Sequence, residues 1–403
     1  MDYNESIAGI LPENYEGCTL VGRLFDPAEG GPSVVAIRQG DVVDLSYVEP
    51  TVSSLLERDD VIEIVRDAKP RKTWRLNAVL RATLHQDWGE PHFLAPVDLQ
   101  VLKAAGVTFV QSMLERVIEE RAAGDPYRAK DIRSQLDKAI GGTLGSVRPG
   151  SSEAETIKEV LVGENLWSQY LEVGIGPDPE IFTKGPVLSA VGLGAAVGVL
   201  ARSIWNNPEP ELVLAVTSMG KPVGAMLGND VNLRDFEGRS ALLLTEAKDN
   251  NASCALGPFI RLFDESFTLQ SARELDIRLQ LIGQDGFQMD DVSSMAAISR
   301  DLLDLVGHAC GAHHQYPDGF VLFTGTLFAP TKDRGESGTG FTHHMGDTVI
   351  ISTPKLGSLI NAVTTSEVAP DWTFGIMAVM RNLTERGLLS SEQRFAVRNL
   401  PPS

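Results

Sequence analysis

Short apolar runs separated by glycine, proline and aspartate dominate the second half of the chain, and this pattern limits the possible folds more than any other feature. Such runs are typical of β-strands bounded by turns. They follow one another directly, with a single predicted helix at about Val292 to His308, so they do not alternate with helices as in βα units. The sequence therefore predicts an α+β, β-rich protein with an extensive, mostly antiparallel sheet system. The runs are PELVLAV, PVGAMLGND, IRLFDESFTL, LDIRLQLIG, GFVLFTGTLFAP and DTVIISTPKLGSLINAVTT.

The order of the runs also predicts two domains. Residues 1–92 are predicted to form a small β-rich N-terminal domain, because the runs TLVGRLFD, PSVVAIRQGDVVDLS and VIEIVRD are bounded by turn-forming residues. The stretch DWGEPHFLAPVD, rich in proline and glycine, marks a boundary near residue 93. Residues 93–403 then form the larger domain, which begins with a predicted helix from Thr108 to Ala123.

Composition narrows the class of protein. With 43% hydrophobic and 22% charged residues, the chain is typical of soluble globular proteins. It has no apolar run of the roughly 18 residues that suggest a membrane helix and no signal-peptide pattern, so we expect a cytoplasmic location. The net charge of −19 disfavours a nucleic-acid surface. Cys18, Cys254 and Cys310 lie far apart, which argues against a disulfide framework and a thiolate zinc site.

Two glutamates stand at the head of one apolar run, in the sequence WNNPEPELVLAV. Side chains two residues apart in a strand face the same side, so Glu209 and Glu211 would converge on one point. Asp230 follows at the end of the next apolar run, and Lys248 comes later in AKDNNASCALGPF. Three carboxylates are good ligands for a hard cation such as Mg²⁺. On this pattern alone, a solvated strand face remains an alternative to a metal site.

The motifs EPELVLAV, GNDVNLRDFEGRS, AKDNNASCALGPF, GTLFAP and HMGDTVIISTPKLGSL occur in the order found in the fumarylacetoacetate hydrolase superfamily. The chain resembles this family over residues 93–390, and its long matched stretches are similar to the sugar-acid dehydratase branch. The resemblance implies a fumarylacetoacetate hydrolase-like β-roll or sandwich in the catalytic domain. It also implies a homodimer or homotetramer that acts on a small 2-keto acid.

The resemblance also implies roles for individual residues. Glu237 stands where glutamine is more usual in the family. The implied roles are Glu209, Glu211 and Asp230 as ligands of Mg²⁺ (or Mn²⁺), Lys248 as the active-site lysine, Arg234 and Glu237 as residues that line the site, Ser358 as a hydroxyl that helps hold the substrate carboxylate, and Lys184 as the lysine of a Phe-x-Lys motif.

One departure from the family pattern bears on the reaction. Hydrolase members carry a His–Glu pair that activates water, whereas this chain keeps Glu115 and has Ser112 at the histidine position. A hydrolase needs a base within reach of its water, but a dehydratase needs no attacking water. The resemblance therefore implies a hydro-lyase that converts 2-keto-3-deoxy-D-xylonate (2-keto-3-deoxypentonate) to 2,5-dioxopentanoate. The alternatives are an acylpyruvate-type C–C hydrolase or decarboxylase, and a non-enzymatic carboxylate-binding protein.

The expected chemistry needs a base at C3 and an acid at the C4 hydroxyl. Lys248 is the predicted base, and we expect a bound cation and partial burial to lower its pKa toward the working pH. Glu115 is predicted to protonate the leaving hydroxyl, with Glu164 or Glu172 as alternatives if their segment covers the site. Elimination followed by tautomerisation then gives 2,5-dioxopentanoate.

Overall fold

Most strands of the protein belong to two sheets in the computed structural model, which describes residues 9–129, 132, 147–163, 167–326, 328, 332–334 and 340–389. The strands are β1 (Leu20–Asp26), β2 (Gly31–Arg38), β3 (Asp41–Asp44), β4 (Thr73–Arg75), β5 (His92–Leu94), β6 (Val101–Gly106), β7 (Glu180–Gly185), β8 (Ala196–Val199), β9 (Asn206–Asn207), β10 (Pro210–Val216), β11 (Pro222–Asp230), β12 (Asn232–Leu233), β13 (Cys254–Leu262), β14 (Asp276–Ile282), β15 (Gln288–Ser294), β16 (Phe320–Phe323), β17 (Thr348–Thr353) and β18 (Gly357–Thr365). The larger sheet has eleven strands, in the order β4-β3-β2-β1-β13-β11-β10-β16-β6-β7 with β5 beside β1. The smaller sheet has the order β15-β14-β17-β18-β8, and β9 pairs with β12.

Helices connect and cover the sheets. The α-helices are α1 (Val52–Leu56), α2 (Val61–Asp67), α3 (Leu76–His85), α4 (Val110–Ala122), α5 (Ser152–Gly163), α6 (Gln169–Ile175), α7 (Arg234–Glu237), α8 (Leu244–Lys248), α9 (Leu269–Arg273), α10 (Leu302–Ala309) and α11 (Ile376–Glu385). Within the described part of the chain, no helix combines the length and the apolar character needed to cross a membrane.

The strands are antiparallel to their neighbours except at two places, where β16 pairs with β6 and β18 pairs with β8. This arrangement confirms the predicted α+β, β-rich fold. The domain boundary near residue 93 stays a prediction, and β1 from the N-terminal part pairs directly with β13 in the larger sheet.

Strand β10 lies near the middle of the larger sheet and is buried along its whole length. Leu212 and Leu214 pack into one hydrophobic core, whereas Val213 and Ala215 point to the other face and pack into a second core. Because both faces are covered, the strand is a continuous apolar run rather than an alternating one. This packing gives the residues at its start a rigid support.

Two predicted elements are corrected by the structure. The predicted helix from Val292 to His308 is wrong in its first half, because Gln288–Ser294 forms β15 and pairs with β14 as a hairpin. Helix α10 begins only after Asp301, whose carboxylate accepts a hydrogen bond from the Leu303 N–H at 2.9 Å. The run VIEIVRD is helix α2 rather than a strand, because Val61, Ile64 and Val65 share one buried helical face.

Truncation of Leu214 to alanine is expected to lower the free energy of unfolding by about 2–5 kcal/mol, since its fully buried side chain would leave a cavity in the core. Urea unfolding measures the effect. The matched control is Leu242→Ala, because Leu242 is 95% exposed and its loss should change stability by less than about 0.5 kcal/mol. Equal effects of the two changes would contradict the placement of β10 in the core.

Candidate active site

Glu209, Glu211 and Asp230 meet at the end of two paired strands. Glu209 directly precedes β10, Glu211 lies in it, and Asp230 ends the antiparallel neighbour β11. A backbone hydrogen bond of 2.9 Å from the Asp230 N–H to the Glu209 carbonyl closes the pairing. One carboxylate oxygen of each residue lies within 4.8 Å of those of the others, and all three side chains are buried. The solvated-strand alternative is therefore excluded.

Lys248 is the main counter-charge to this acidic triad. It ends the short helix α8, and its Nζ lies 2.5 Å from Glu209 Oε2 and 3.0 Å from Asp230 Oδ2. The third carboxylate, Glu211, accepts a hydrogen bond from the backbone N–H of Gly325 at 2.7 Å. The structure thus brings together the triad and the lysine that the sequence predicted.

Lys184 supports the triad from behind. Its side chain is fully buried, and its Nζ lies 2.8 Å from Asp230 Oδ1. It also donates to the backbone carbonyls of Lys248 and Val231. Lys184 is absent from the wall of the adjoining cavity, so it orients Asp230 and the end of helix α8 from outside that cavity.

Arg116 was not predicted, although it lies in the cavity wall. Its guanidinium donates to Glu209 Oε1 and to Glu119 Oε2, the latter at 2.7 Å, and lies 2.8 Å from Glu237 Oε2. In helix α4, Ser112, Arg116 and Glu119 lie at helical spacing, but only the structure shows that all three are buried. A polar stripe on a buried helical face indicates a site rather than a solvated surface.

Glu180 is a second cavity residue that the sequence did not reveal. It begins β7 opposite Gly106 of β6, and a Cβ atom on Gly106 would lie 1.9 Å from the Glu180 carboxylate. Glycine at position 106 therefore leaves the room that this side chain occupies. The carboxylate is half-buried, and within the part of the chain that the structure describes we find no hydrogen bond or ion pair to it.

Other predicted site residues lie in different places. Arg234 Nη2 lies 2.9 Å from Glu115 Oε2, and its guanidinium stacks on Trp205 at 4.4 Å. Neither Glu115 nor Arg234 is among the residues of the cavity wall, whereas Glu237 is.

Ser358 also lies away from the cavity wall, and its hydroxyl donates to the Gly9 carbonyl at 2.7 Å. Glu172 pairs with Lys158 at the surface, with Oε2 and Nζ 2.5 Å apart. Glu164, the other alternative for the acid, is outside the described residues.

The cavity wall has an unbalanced set of charges, because carboxylates outnumber cationic side chains among its described residues. Ser112 lies in this wall, at the position where hydrolases have histidine, and its hydroxyl donates to the Phe109 carbonyl at 3.1 Å. None of the described wall residues is a histidine. The lining residues are Ala105, Gly106, Val107, Ser112, Arg116, Glu180, Phe182, Glu209, Glu211, Asp230, Glu237, Lys248 and Thr326.

The electrostatics of the triad reflect this imbalance. Burial, together with the charges of Asp230 and Glu209, raises the pKa of Glu211 well above its usual range. Burial acts in the same direction on Asp230, but the ammonium groups of Lys184 and Lys248 outweigh it and lower the pKa of Asp230. Burial also raises the pKa of Glu237 to about 7, against the opposing effect of Arg116 and Lys248.

The pKa of Lys248 is shifted in the opposite direction to the one expected from the sequence. Burial lowers the pKa of its ammonium group, but Asp230, Glu209 and Glu237 outweigh burial and raise that pKa. The protein's own groups therefore do not produce the predicted lowering. A cation shared by the same carboxylates would oppose their effect on the lysine.

The donor set fits a hard divalent cation. The wall carries five carboxylates and only two cationic side chains, Arg116 and Lys248. Buried anions without counter-charges are costly, and a bound cation would offset that cost. The triad offers only oxygen atoms, which are the ligands that Mg²⁺ and Mn²⁺ prefer.

Comparison with known proteins places this site in a family context. Residues 177–364 match the family model described as fumarylacetoacetate (FAA) hydrolase C-terminal. The chain is 31% identical over 185 residues to the 2-dehydro-3-deoxy-D-arabinonate dehydratase of Saccharolobus solfataricus, a match that covers 46% of this chain and 58% of that protein. It is 31% identical over 196 residues to a probable 2-keto-3-deoxyxylonate dehydratase of Haloferax volcanii, covering 49% of this chain and 64% of that protein. The chain thus spans about three fifths of the length of the curated relatives that it matches.

A solved structure shares the fold. It is a 2-keto-3-deoxy-D-arabinonate dehydratase complexed with magnesium and 2,5-dioxopentanoate, which is similar with a TM-score of 0.59 at 21% identity. The match covers 86% of this chain and 99% of that chain. At this identity, the likeness shows the common fold of the two proteins.

Binding of Mg²⁺ to the triad is expected to release protons. Because the pKa of Glu211 is raised, protons compete with the metal at low pH, and the affinity should increase as the pH rises through the range in which Glu211 ionises. Calorimetric titrations in two buffers with different ionisation enthalpies measure the number of protons released. Equal heats in the two buffers would contradict this expectation.

Glu211→Gln provides the variant for this measurement. It should lower Mg²⁺ affinity by roughly tenfold or more, because it removes a charged ligand. The control is Glu265→Gln, because the Glu265 side chain is 76% exposed and pairs with Arg66 away from the triad.

Proposed function

We propose that this protein, whose residues 177–364 match the fumarylacetoacetate (FAA) hydrolase C-terminal model, is a Mg²⁺-dependent dehydratase of 2-keto-3-deoxypentonates. The preferred substrate is 2-keto-3-deoxy-D-xylonate and the product is 2,5-dioxopentanoate. The observation that carries the proposal is the buried triad beside Lys248, in a cavity wall where serine stands at the hydrolase histidine position. The activities for which the two relatives are named support the same reaction class.

Glu209, Glu211 and Asp230 would hold the cation. When bound, Mg²⁺ supplies a Lewis acid that polarises the substrate ketone and stabilises negative charge on its oxygen. The same three oxygen ligands also suit Mn²⁺. Lys184 keeps Asp230 in place for this role through its 2.8 Å contact.

Lys248 would remove a proton from C3. Its Nζ lies in the cavity wall between Glu209 and Asp230, so a base at this point adjoins the place where the keto acid would bind. A general base must reach the proton that it abstracts, and an amine must be neutral to accept it. Sharing of the two carboxylates with a cation favours the neutral amine.

Glu180 is the better candidate to protonate the leaving C4 hydroxyl. Its carboxylate lines the cavity and is half-buried, whereas Glu115 is held by Arg234 outside the wall. Burial raises the pKa of Glu180, so a larger fraction of the group carries a proton than at the surface. Loss of the C3 proton and the C4 hydroxyl as water leaves a C3–C4 double bond. A proton transfer from C5 to C3 then gives an enol at C5. Transfer of the enol hydroxyl proton to C4 gives the aldehyde.

The acylpyruvate hydrolase alternative requires an activated water molecule. Ser112 has no basic group, and its hydroxyl already donates to the Phe109 carbonyl. We therefore rank dehydration above hydrolysis. We further propose that the enzyme works as a homodimer or homotetramer in the cytoplasm and acts on small molecules.

The proposal predicts that the protein converts 2-keto-3-deoxy-D-xylonate to 2,5-dioxopentanoate in the presence of Mg²⁺. Chromatography of the aldehyde product measures the conversion. Lys248→Met should lower kcat by roughly 10²–10⁴ because the base is lost. Lys221→Met is the control, since Lys221 is an exposed lysine in the turn before β11. Full activity in excess EDTA or in Lys248→Met, or faster release of pyruvate from an acylpyruvate, would contradict the proposal.

Glu180→Gln and Glu115→Gln separate the two candidate acids. Glu180→Gln is expected to lower kcat by roughly 10²–10⁴ while KM changes little, because the proton donor is lost and binding is retained. Glu115→Gln should chiefly lower the thermal midpoint, because it weakens a buried ion pair with Arg234. A larger loss of kcat in Glu115→Gln would return the acid role to Glu115.

A further inference from the structure

Arg116 and Glu237 form a mixed donor–acceptor pair in the cavity wall. Both side chains are buried, and Arg116 Nη1 lies 2.8 Å from Glu237 Oε2. Although the two atoms are close, Glu237 Oε2 has no well-aligned hydrogen bond among the described residues. The pair therefore presents N–H groups and an acceptor oxygen with unused capacity side by side.

The pair has a fixed position relative to the triad. Arg116 comes from helix α4 and donates to Glu209 with its other terminal nitrogen, so the pair lies one side chain away from the proposed cation ligands. Glu119 holds Arg116 at 2.7 Å, and the Tyr170 hydroxyl donates to the Glu237 backbone carbonyl at 3.3 Å. These contacts keep the pair in place, as a recognition site requires.

A hydroxyl group matches this pair better than other oxygen groups do. It can donate its proton to Glu237 and accept an N–H from Arg116, with one lone pair left for a proton from Glu180. A carbonyl at the same carbon, as in an acylpyruvate, would direct only lone pairs at the Glu237 carboxylate. A methylene group would leave buried polar atoms without partners, which is how sites built for a hydroxyl reject analogues that lack it.

We infer that Arg116 and Glu237 form the subsite for the C4 hydroxyl of the substrate and select hydroxylated 2-keto acids over acylpyruvates and plain 2-keto acids. This inference rests on the proposed function, because it takes the keto-acid end to lie at the triad. It assigns to Arg116 a part in substrate specificity. It also gives a reason for glutamate rather than glutamine at position 237, because a carboxylate is the stronger hydrogen-bond acceptor.

The test compares three ligands that differ only beyond C3. Pyruvate ends before C4, 2-oxopentanoate has a methylene at C4, and 4-hydroxy-2-oxopentanoate has the hydroxyl there. Each is titrated by calorimetry in Mg²⁺, and conversion of the hydroxy acid is checked by the ultraviolet absorbance of its enone product. The wild-type protein should bind the hydroxy acid roughly ten- to a hundredfold more tightly than 2-oxopentanoate, as expected for a hydrogen bond to a charged group.

Glu237→Met should reverse part of this preference. The ratio of the two dissociation constants should fall to within about threefold, and 2-oxopentanoate should bind more tightly than it does to the wild type, because its methylene no longer faces a buried carboxylate. Tighter binding is a result that a damaged fold does not give. Pyruvate affinity should stay within about twofold, and the control Glu120→Gln, whose parent side chain contacts Ser168 instead, should leave all three affinities unchanged.

If Glu237→Met does not fold, two further measurements test the C4-hydroxyl subsite. Glu237→Gln keeps one acceptor oxygen and should retain part of the preference. A wild-type ratio near one overturns the subsite without any variant, as does an unchanged ratio in Glu237→Met or Glu237→Gln. Absence of Mg²⁺-dependent pyruvate binding by the wild type would instead overturn the proposed function and the subsite with it.

Discussion

The contacts of Lys248, Lys184 and Arg116 with the buried carboxylates are the interactions on which the rest of the site depends. Carboxylates in a protein interior are costly unless charge and hydrogen bonds compensate them. Here Lys248 and Arg116 reach Glu209, while Lys184 and Lys248 reach Asp230. The compensation is incomplete, because among the described residues Glu211 accepts a hydrogen bond only from the Gly325 N–H, and its pKa is raised. The site thus retains excess negative charge at the place where a cation would bind.

The fold supplies the rigidity that such a cluster needs. Antiparallel pairing of β10 with β11 sets the positions of Glu211 and Asp230 through the backbone, and hydrophobic cores cover both faces of β10. Helix α4 closes the other side of the cavity with Arg116. Arg234 braces this helix from behind through Glu119, with Nε and Oε1 2.6 Å apart. Strands hold the proposed metal ligands, whereas a helix carries part of the wall that would contact the variable end of a substrate.

Local pattern predicted the sheet-rich fold and the convergence of Glu209 and Glu211, because strand periodicity acts over short distances in sequence. The role of the triad as metal ligands came from the resemblance to the family. Residues 209 and 211 share a face through periodicity alone, and the hairpin brings in Asp230. Glu180 and Arg116 could not be found in this way, since each enters the cavity through packing of distant segments. The placement of Glu115 outside the cavity wall could not be predicted for the same reason. The sequence LERVIEER does not indicate that Glu115 pairs with Arg234 while its neighbour Arg116 lines the cavity. The helix predicted over 292–308 was wrong in its first half, because hairpin pairing with β14 overrode a weak local pattern there.

The chemistry that distinguishes members of such a family is therefore better sought in the wall than in the metal ligands. In the proposed reaction, Glu209, Glu211, Asp230 and Lys248 would supply what any 2-keto acid needs, namely a cation site and a base. The choice of reaction and substrate would then depend on the groups that face the carbons beyond C3. The wall offers three candidates for this role, namely Ser112, Glu180 with no ion-pair partner among the described residues, and Arg116 beside Glu237. Ser112 offers no base for an attacking water molecule, which is why the proposed function is loss of a hydroxyl group rather than hydrolysis.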